Sequence, residues 1–575
     1  MVKPFAVAAN AVEAWLTEAG TQFATRVASL PGSSKPMAWE FKVAHPRLLH
    51  DTARLSLPRD FPATPAQIHL HRDHCLVLPH VEETGKVCLG VEASPQDYAD
   101  PVPAVGRVLN AFQNFLTQCN DEDWIVSELK RECWSYWLRF CDKVASRPEA
   151  RPTPGQLYLA IHGLTKIEEG TLAVYYVSSD HQKAKIAVGC PGATDPHTLA
   201  RRHGLSTGQL VRGQALFIPL SEDLDWRPGV WPMDFEELDT LIGQLSGNMM
   251  SASSWLQQFE GTPAQPFLVA FVQGQFAYAY QLCPPLVQGL SSLAIEPLPS
   301  IRLDAEWSLT RGYGLDAFAK RQAKRVLVLG CGSLGSPIIE LLARAGIGSI
   351  TIVDPELFLP ENCSRHILGL SSTEQAKATQ LADRLTREIP GVSVQGVRAL
   401  ASSWVSDRVS PNMFDLVVDC TGESSVRALL SQCRQSAFEG TPIVHTWLEP
   451  YCAAAHVALV GTADVWPITD PADTLVNAAD WPEPTKHEIP ACGAGFHPYG
   501  VADTWQAAGF AAERLLSALD LTPGSSVIWS WVRSKAYLDA LNVGAKPRTI
   551  VPATGSVFDS TMLLRDYNKV LNPNG

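Results

Sequence analysis

The sequence predicts an α/β multidomain protein: an α+β module first, an α+β middle module next, and a C-terminal module on a doubly wound parallel sheet. Three observations carry this. A chain of 575 residues exceeds one ordinary core, at about 150 residues per domain. Ser146–Gly155 packs three prolines into ten residues, the composition of a linker. From about 306 onward, strand, Gly-rich turn, helix and strand repeat, as a parallel sheet requires. The boundaries this suggests are 1–148, 149–305 and 306–575.

In the first module, Met1 to Ala19 reads as an amphipathic helix. One Lys followed by Glu13 and Glu18 is the wrong charge pattern for a secretory signal. Short alternating segments such as Gln67–His71 follow, and helical periodicity runs from Val105 to Val144. The middle module mixes β-rich runs, Thr171–Val177 and Phe267–Tyr280, with a helical stretch Phe235–Phe259, and no chemistry is legible in it.

Composition narrows the function classes. With 46% hydrophobic and 18% charged residues the chain reads as globular. A net charge of −13 disfavours direct nucleic-acid binding and anionic membranes. No run of about 18 apolar residues marks a membrane span, so a cytoplasmic protein is expected. Thirteen cysteines without a secretory signal are expected to be reduced. No C-x-x-C pair supports a structural zinc site. Cys75, in His71-Arg-Asp-His-Cys75, matches no strong metal template and is expected to be structural.

The chemistry concentrates in the last module. Arg325–Gly330 is a buried-type strand running into Gly330-Cys-Gly332-Ser-Leu-Gly335 and then a helix from Pro337 to Ala345. Glycines so spaced allow a tight turn, close approach of backbone to phosphate, and tight strand–helix packing over a helix N-terminus. The next strand ends at Asp354, where an acid can accept from ribose hydroxyls. This pattern points to a nucleotide without separating a dinucleotide from ATP. Asn362 and Arg365, three residues apart, would share a helical face toward phosphates, Lys377 adds a second cation, and Asp419 ends an apolar strand where it is placed to hold Mg²⁺.

Asp354-x₇-Asn362-x-x-Arg365, Lys377 and Val417-Val-Asp-Cys-Thr-Gly422 resemble the Rossmann-like adenylation fold of ubiquitin-activating enzymes and the bacterial ThiF and MoeB proteins, over about 325–460. The resemblance implies ATP and Mg²⁺ at Gly330, Gly332, Gly335, Asp354, Asn362, Arg365, Lys377 and Asp419. Arg365 and Lys377 then act as catalytic cations, because a carboxylate attacking an α-phosphate must overcome repulsion between anions. It also implies a homodimer in which a partner arginine acts, with Arg302 and Arg311 as candidates.

Thioester chemistry needs an accessible thiolate. Cys331, Cys420, Cys433 and Cys452 read as packing residues. Cys492 stands in the glycine-rich loop Ile489–Gly500, before a helix from Ala502 to Ala518 and near His497, and is the candidate for the first thioester. In the N-terminal module, Leu57-Pro-Arg-Asp-Phe-Pro62, Leu78-Pro-His-Val81 and Thr84-Gly-Lys-Val-Cys88-Leu89 resemble the core of a ubiquitin-conjugating enzyme. That makes Cys88 the conjugating thiol and sets His80 in the place of that family's Asn, where it can donate to an oxyanion.

Conjugating module first, connecting domain, activating module last: this order resembles the bacterial CD-NTase-associated fusion enzymes of CBASS antiphage operons. The resemblance implies adenylation of a partner's C-terminus, thioesters on Cys492 and then Cys88, and conjugation to a target lysine or other amine. It names the partner as a cGAS/DncV-like nucleotidyltransferase. The competing readings are a ThiF-like activator of a ubiquitin-like or sulfur-carrier protein, an NAD-dependent oxidoreductase, and a noncatalytic scaffold.

Overall fold

The computed structural model describes residues 4–20, 24–28, 37–177, 180–283, 293–310, 315–482, 485, 487–488, 495–496, 498–521 and 525–572. The chain forms two compact units, 1–197 with 206–302, and 198–205 with 303–575. Among the described residues no helix is long and apolar enough to cross a membrane.

The first unit opens with the expected helix, Pro4–Gly20, which buries Ala8, Val12 and Leu16 at four-residue spacing. A four-stranded antiparallel meander follows, Ala24–Val27, Met37–Lys42, Thr52–Leu57 and Gln67–His69. The helical periodicity expected from Val105 to Val144 is three helices, Pro101–Gln118, Glu122–Arg131 and Cys133–Ala145. The break has a local cause: the Asp121 carboxylate accepts from the N–H groups of Asp123 and Trp124 and starts a new helix. Phe235–Phe259 likewise divides, into Phe235–Leu245 and Ala252–Gln257. Gly247 and Asn248 both take positive φ between them, which a continuing helix cannot accept.

The middle segment forms an eight-stranded mixed sheet. One face, including Leu216, Ile218, Phe271 and Tyr280, joins a core with Trp137, Phe140, Leu238 and Trp255 from the helices. The opposite face, with Leu157, Val174, Phe217 and Leu268, forms its own cluster. Trp137, fully buried, donates its indole N–H to the Leu298 carbonyl at 3.1 Å, so the predicted first and middle modules share one continuous core.

The second unit is built on a second eight-stranded sheet, ordered Ser393–Val397, Ser349–Val353, Arg325–Leu329, Leu416–Asp419, Ile443–Leu448, Ala454–Val460, Val527–Arg533 and Ser560–Asp566. The first five strands are parallel, as expected, and the last three continue it antiparallel. Strand alternation sends Val326 and Val328 into a core with the helices Gly335–Arg344, Lys377–Glu388 and Val501–Leu521. Leu327 and Leu329 pack on the other face with Val405 and Leu430, from the helices Ala401–Arg408 and Ser424–Gln432. Helices therefore cover both faces, the doubly wound arrangement.

Candidate functional site

In the second unit, register brings the sequence motifs to one sheet end. Leu329 pairs with Val353 on one side and with Asp419 on the other, so Gly330, Asp354 and Asp419 stand together at the carboxyl ends of three adjacent parallel strands. Chain order reverses here, where open α/β sheets bind ligands.

The glycines divide the work. Gly330 has φ of +86°, and Gly335 lies so close to Gly330 that an added Cβ would meet the Gly330 carbonyl at 2.2 Å. At Gly332 a Cβ would meet nothing within 4 Å, leaving open space over the first turn of helix Gly335–Arg344. In that turn Pro337 has no N–H, and the N–H groups of Ser336 and Ile338 donate to the carbonyls of Gly332 and Leu334 at 2.9 and 3.4 Å, so an anion there would be met by the loop backbone leading into the helix rather than by the turn's full set of donors. The Ser336 hydroxyl in the same turn is buried with no partner among the described residues.

Asp354 braces the loop. One carboxylate oxygen accepts from the Cys331 N–H and the other from the Glu356 N–H, each at 2.8 Å. Glu356 in turn holds Lys377, whose ammonium lies 2.5 Å from its carboxylate and which is only 5% exposed at the head of its helix. The Lys377 N–H also donates to the Glu356 carbonyl. His366 bonds the Cys331 carbonyl at 2.7 Å through Nε2 and accepts the Leu368 N–H at Nδ1, which fixes its proton on Nε2. Burial holds its pKa down, to about 4.

Asn362 and Arg365 do not share a helical face. Pro360–Asn362 is a single 3₁₀ turn, and the Asn362 side-chain carbonyl caps it by accepting from the Leu359 N–H. Arg365 instead stacks over Tyr499, 5.9 Å from its ring centroid, while the Tyr499 hydroxyl bonds that of Ser333 at 2.7 Å. Arg365 is thus linked through Tyr499 to the glycine loop.

Asp419 is 1% exposed. One oxygen accepts from the Thr421 N–H and hydroxyl, and the other faces His445 Nδ1 at 3.0 Å. A carboxylate has about four lone-pair positions, so about one remains. This fits Mg²⁺, which commonly takes one or two carboxylates and completes its shell with water and substrate phosphates. The open cradle at Gly332 and the two nearby cations fit a nucleotide triphosphate.

In the first unit, Cys88 lies across a small hairpin from His80. The Cys88 N–H donates to the His80 carbonyl at 2.7 Å, Val81 bridges Val87, and the Val87 N–H donates to Ile68 of the central sheet. The buried valines anchor the hairpin in the core, while Cys88 is exposed. Gly85 permits the return: φ is +81°, and a Cβ there would strike the Leu70 carbonyl.

The His80 ring stands between two carboxylates, Glu128 at 3.1 Å from Nε2 and Glu132 at 3.5 Å from Nδ1. The His80 N–H donates to the Tyr136 hydroxyl at 2.6 Å, and that hydroxyl donates to Glu132. Both ring nitrogens therefore have carboxylate partners, where the sequence suggested an oxyanion donor. Glu128, Glu132 and Tyr136 recur at four-residue spacing, a signal that sequence reading passed over.

Most thiols are sealed. Cys75, Cys119, Cys133, Cys141, Cys190, Cys283, Cys331 and Cys452 are buried, and Cys420 and Cys433 are half-buried. Burial pushes the Cys119 and Cys452 thiols up to about 12. Among the described residues Cys88 and Cys363 are exposed. Cys363, between Asn362 and Arg365, was missed in sorting the cysteines. Cys492, His497 and Arg311 lie outside the described residues. The Arg302 guanidinium donates to the carbonyls of Ile161 and Gln275, which employs it inside the first unit.

Residues 308–521 match the ThiF family. The C-terminal region carries a ThiF domain. The ATP-dependent ubiquitin transferase-like protein Cap2 of Enterobacter hormaechei subsp. hoffmannii is 31% identical over 202 residues, covering 33% of this chain and 33% of that protein. Its namesake in Pseudomonas aeruginosa is 30% identical over 161 residues, covering 27% and 28%. The adenylyltransferase and sulfurtransferase UBA4 of Yarrowia lipolytica is 33% identical over 132 residues, covering 23% and 33%. The chain thus spans about a third of the length of these relatives. The Cap2 likeness together with the ThiF domain bears out the resemblance to a CD-NTase-associated ThiF fusion.

Proposed function

We propose that this chain is an ATP-dependent, ubiquitin-transferase-like conjugating enzyme. A partner protein's C-terminal carboxylate attacks the α-phosphate of ATP at the ThiF end of the sheet, pyrophosphate leaves, and an acyl adenylate remains. The observation that carries the reading is the joining of Asp354, Glu356, Lys377 and the glycine loop into one hydrogen-bonded assembly beside Asp419. Lys377 and Arg365 reduce the repulsion between carboxylate and phosphate. Mg²⁺ held at Asp419 would neutralise phosphate charge.

The Cys492 thiolate then attacks the acyl carbon and expels AMP. Cys88 takes the acyl group by thioester exchange, returning the Cys492 thiolate. A lysine or other amine attacks that second thioester, losing a proton as the Cys88 thiolate departs. Covalent relay divides one difficult step into easier ones. The exposed setting of Cys88 supports this role, and the likeness to proteins named ATP-dependent ubiquitin transferase-like supports the class of reaction; the proposal takes a cGAS/DncV-like nucleotidyltransferase as the partner and a homodimer as the working form.

Pyrophosphate exchange into ATP tests the first step. It is expected to depend on the candidate partner and on its free C-terminal carboxylate. Exchange that persists with a C-terminally amidated partner, or nicotinamide reduction in its place, would contradict the proposal.

A further inference from the structure

In the first unit, besides the Cys88 hairpin's ion pairs, a second group of side chains converges without a role in the proposed relay. We infer that His50, His71 and Asp73 form a binding site for a divalent transition metal of the zinc class. Their ligand atoms, one from each residue, all lie within 4.8 Å of one another.

The geometry suits a small tetrahedral ion. A single oxygen, Asp73 Oδ2, faces His50 Nε2 at 3.4 Å and His71 Nδ1 at 3.1 Å. Zinc bonds of about 2.0–2.2 Å set neighbouring ligands about 3.4 Å apart on a tetrahedron. Both separations lie near that value.

The protons favour a cation as well. His71 Nδ1 accepts the Asp73 N–H at 3.4 Å, and a nitrogen whose lone pair is so used has no proton for the carboxylate 3.1 Å away. The His50 and His71 ring centroids are 3.9 Å apart, so two imidazolium rings there would repel each other. A shared metal relieves the ring repulsion, since it binds neutral imidazole and carboxylate through their lone pairs, and at His71 it would take the Nδ1 lone pair in place of the long Asp73 N–H contact.

The site is also held open by its surroundings. Buried His74 accepts the Leu49 N–H at Nε2, 2.8 Å, so its proton sits on Nδ1, which donates to the His71 carbonyl at 2.9 Å. This bridge fixes the loop carrying His50 against the turn carrying His71 and Asp73, the kind of outer support that metal ligands need. Two nitrogens and one oxygen select zinc, cobalt or nickel over calcium or magnesium. The three side chains are roughly half exposed, which leaves water to complete the shell. Cys75 takes no part; it is buried and its thiol is pushed up by burial.

Equilibrium dialysis of the full chain against Zn²⁺ under reducing conditions tests this, with metal counted per chain. Wild type is expected to retain one more equivalent than His50→Ala, His71→Ala or Asp73→Asn, and Cys88→Ala to match wild type. With Co²⁺ as probe, the wild-type minus His71→Ala spectrum should show ligand-field bands without a thiolate charge-transfer band. Thermal melts in chelator confirm that the variants stay folded, as exposed positions predict. Equal stoichiometry in wild type and all three variants, or a thiolate band in the difference spectrum, would overturn the inference.

Discussion

Lys377 is nearly buried while its partner Glu356 is largely exposed, so removing the ammonium strands no buried charge. Lys377→Ala is therefore expected to leave the melting profile close to wild type while lowering pyrophosphate exchange about 100-fold, the usual cost of losing one charge-stabilising group. Unchanged exchange would remove Lys377 from the chemistry. His366 gives a pH signature. Its folded pKa lies below the unfolded value, so between pH 6.5 and about 4 the unfolded chain binds the proton and the folded chain does not. The stability it contributes is present above that window and is lost as pH falls through it, by up to about 3 kcal/mol. His366→Gln should flatten the pH dependence of denaturant unfolding of the C-terminal unit in that range; a slope equal to wild type would contradict this. Lys377, Asp354 and Asp419 were legible in the sequence because each occupies a fixed place in a motif. Glu356, His366 and Tyr499 were not, because their partners Lys377, Cys331 and Ser333 come close only after the chain folds.

At the scale of elements, the glycine turn separates packing from binding. Gly335→Ala forces a Cβ onto the Gly330 carbonyl and should destabilise the C-terminal unit by about 1–3 kcal/mol, the range for overpacking. Gly332→Ala meets open space, so it should fold like wild type yet bind ATP at least tenfold more weakly. Melting curves with nucleotide titration decide, and an unaffected affinity in Gly332→Ala would place the phosphates elsewhere. The strand–turn–helix here was legible because apolar strand and glycine spacing agree. The helical stretches in the first unit were legible, but not the breaks within them, because periodicity carries across the Asp121 cap, and because Gly247 and Asn248 break a helix through φ, which composition signals only weakly.

For the molecule as a whole, each unit holds cores of its own residues. Trp137→Ala should cost the first unit about 3–5 kcal/mol and weaken both the Cys88 hairpin and the middle sheet, since one core serves them. Pyrophosphate exchange, which the proposal assigns to the ThiF-like region, should persist; its loss would show that adenylation requires the first unit. The sharing of that core was hidden in the sequence, because the proline-rich segment Ser146–Gly155 reads as a linker whether or not the elements beside it pack together. The proposed adenylating site and an exposed thiol in one chain would each raise the effective concentration of the other, which is the advantage the proposed relay would exploit.

The most direct measurement of that relay is nonreducing electrophoresis with ATP and the candidate partner, comparing wild type, Cys88→Ala, Cys492→Ala and Cys363→Ala. The relay requires a thiol-sensitive adduct that accumulates on Cys492 in Cys88→Ala, is absent from Cys88 in Cys492→Ala, and is unchanged in Cys363→Ala. An adduct on Cys88 in the Cys492→Ala protein would contradict it.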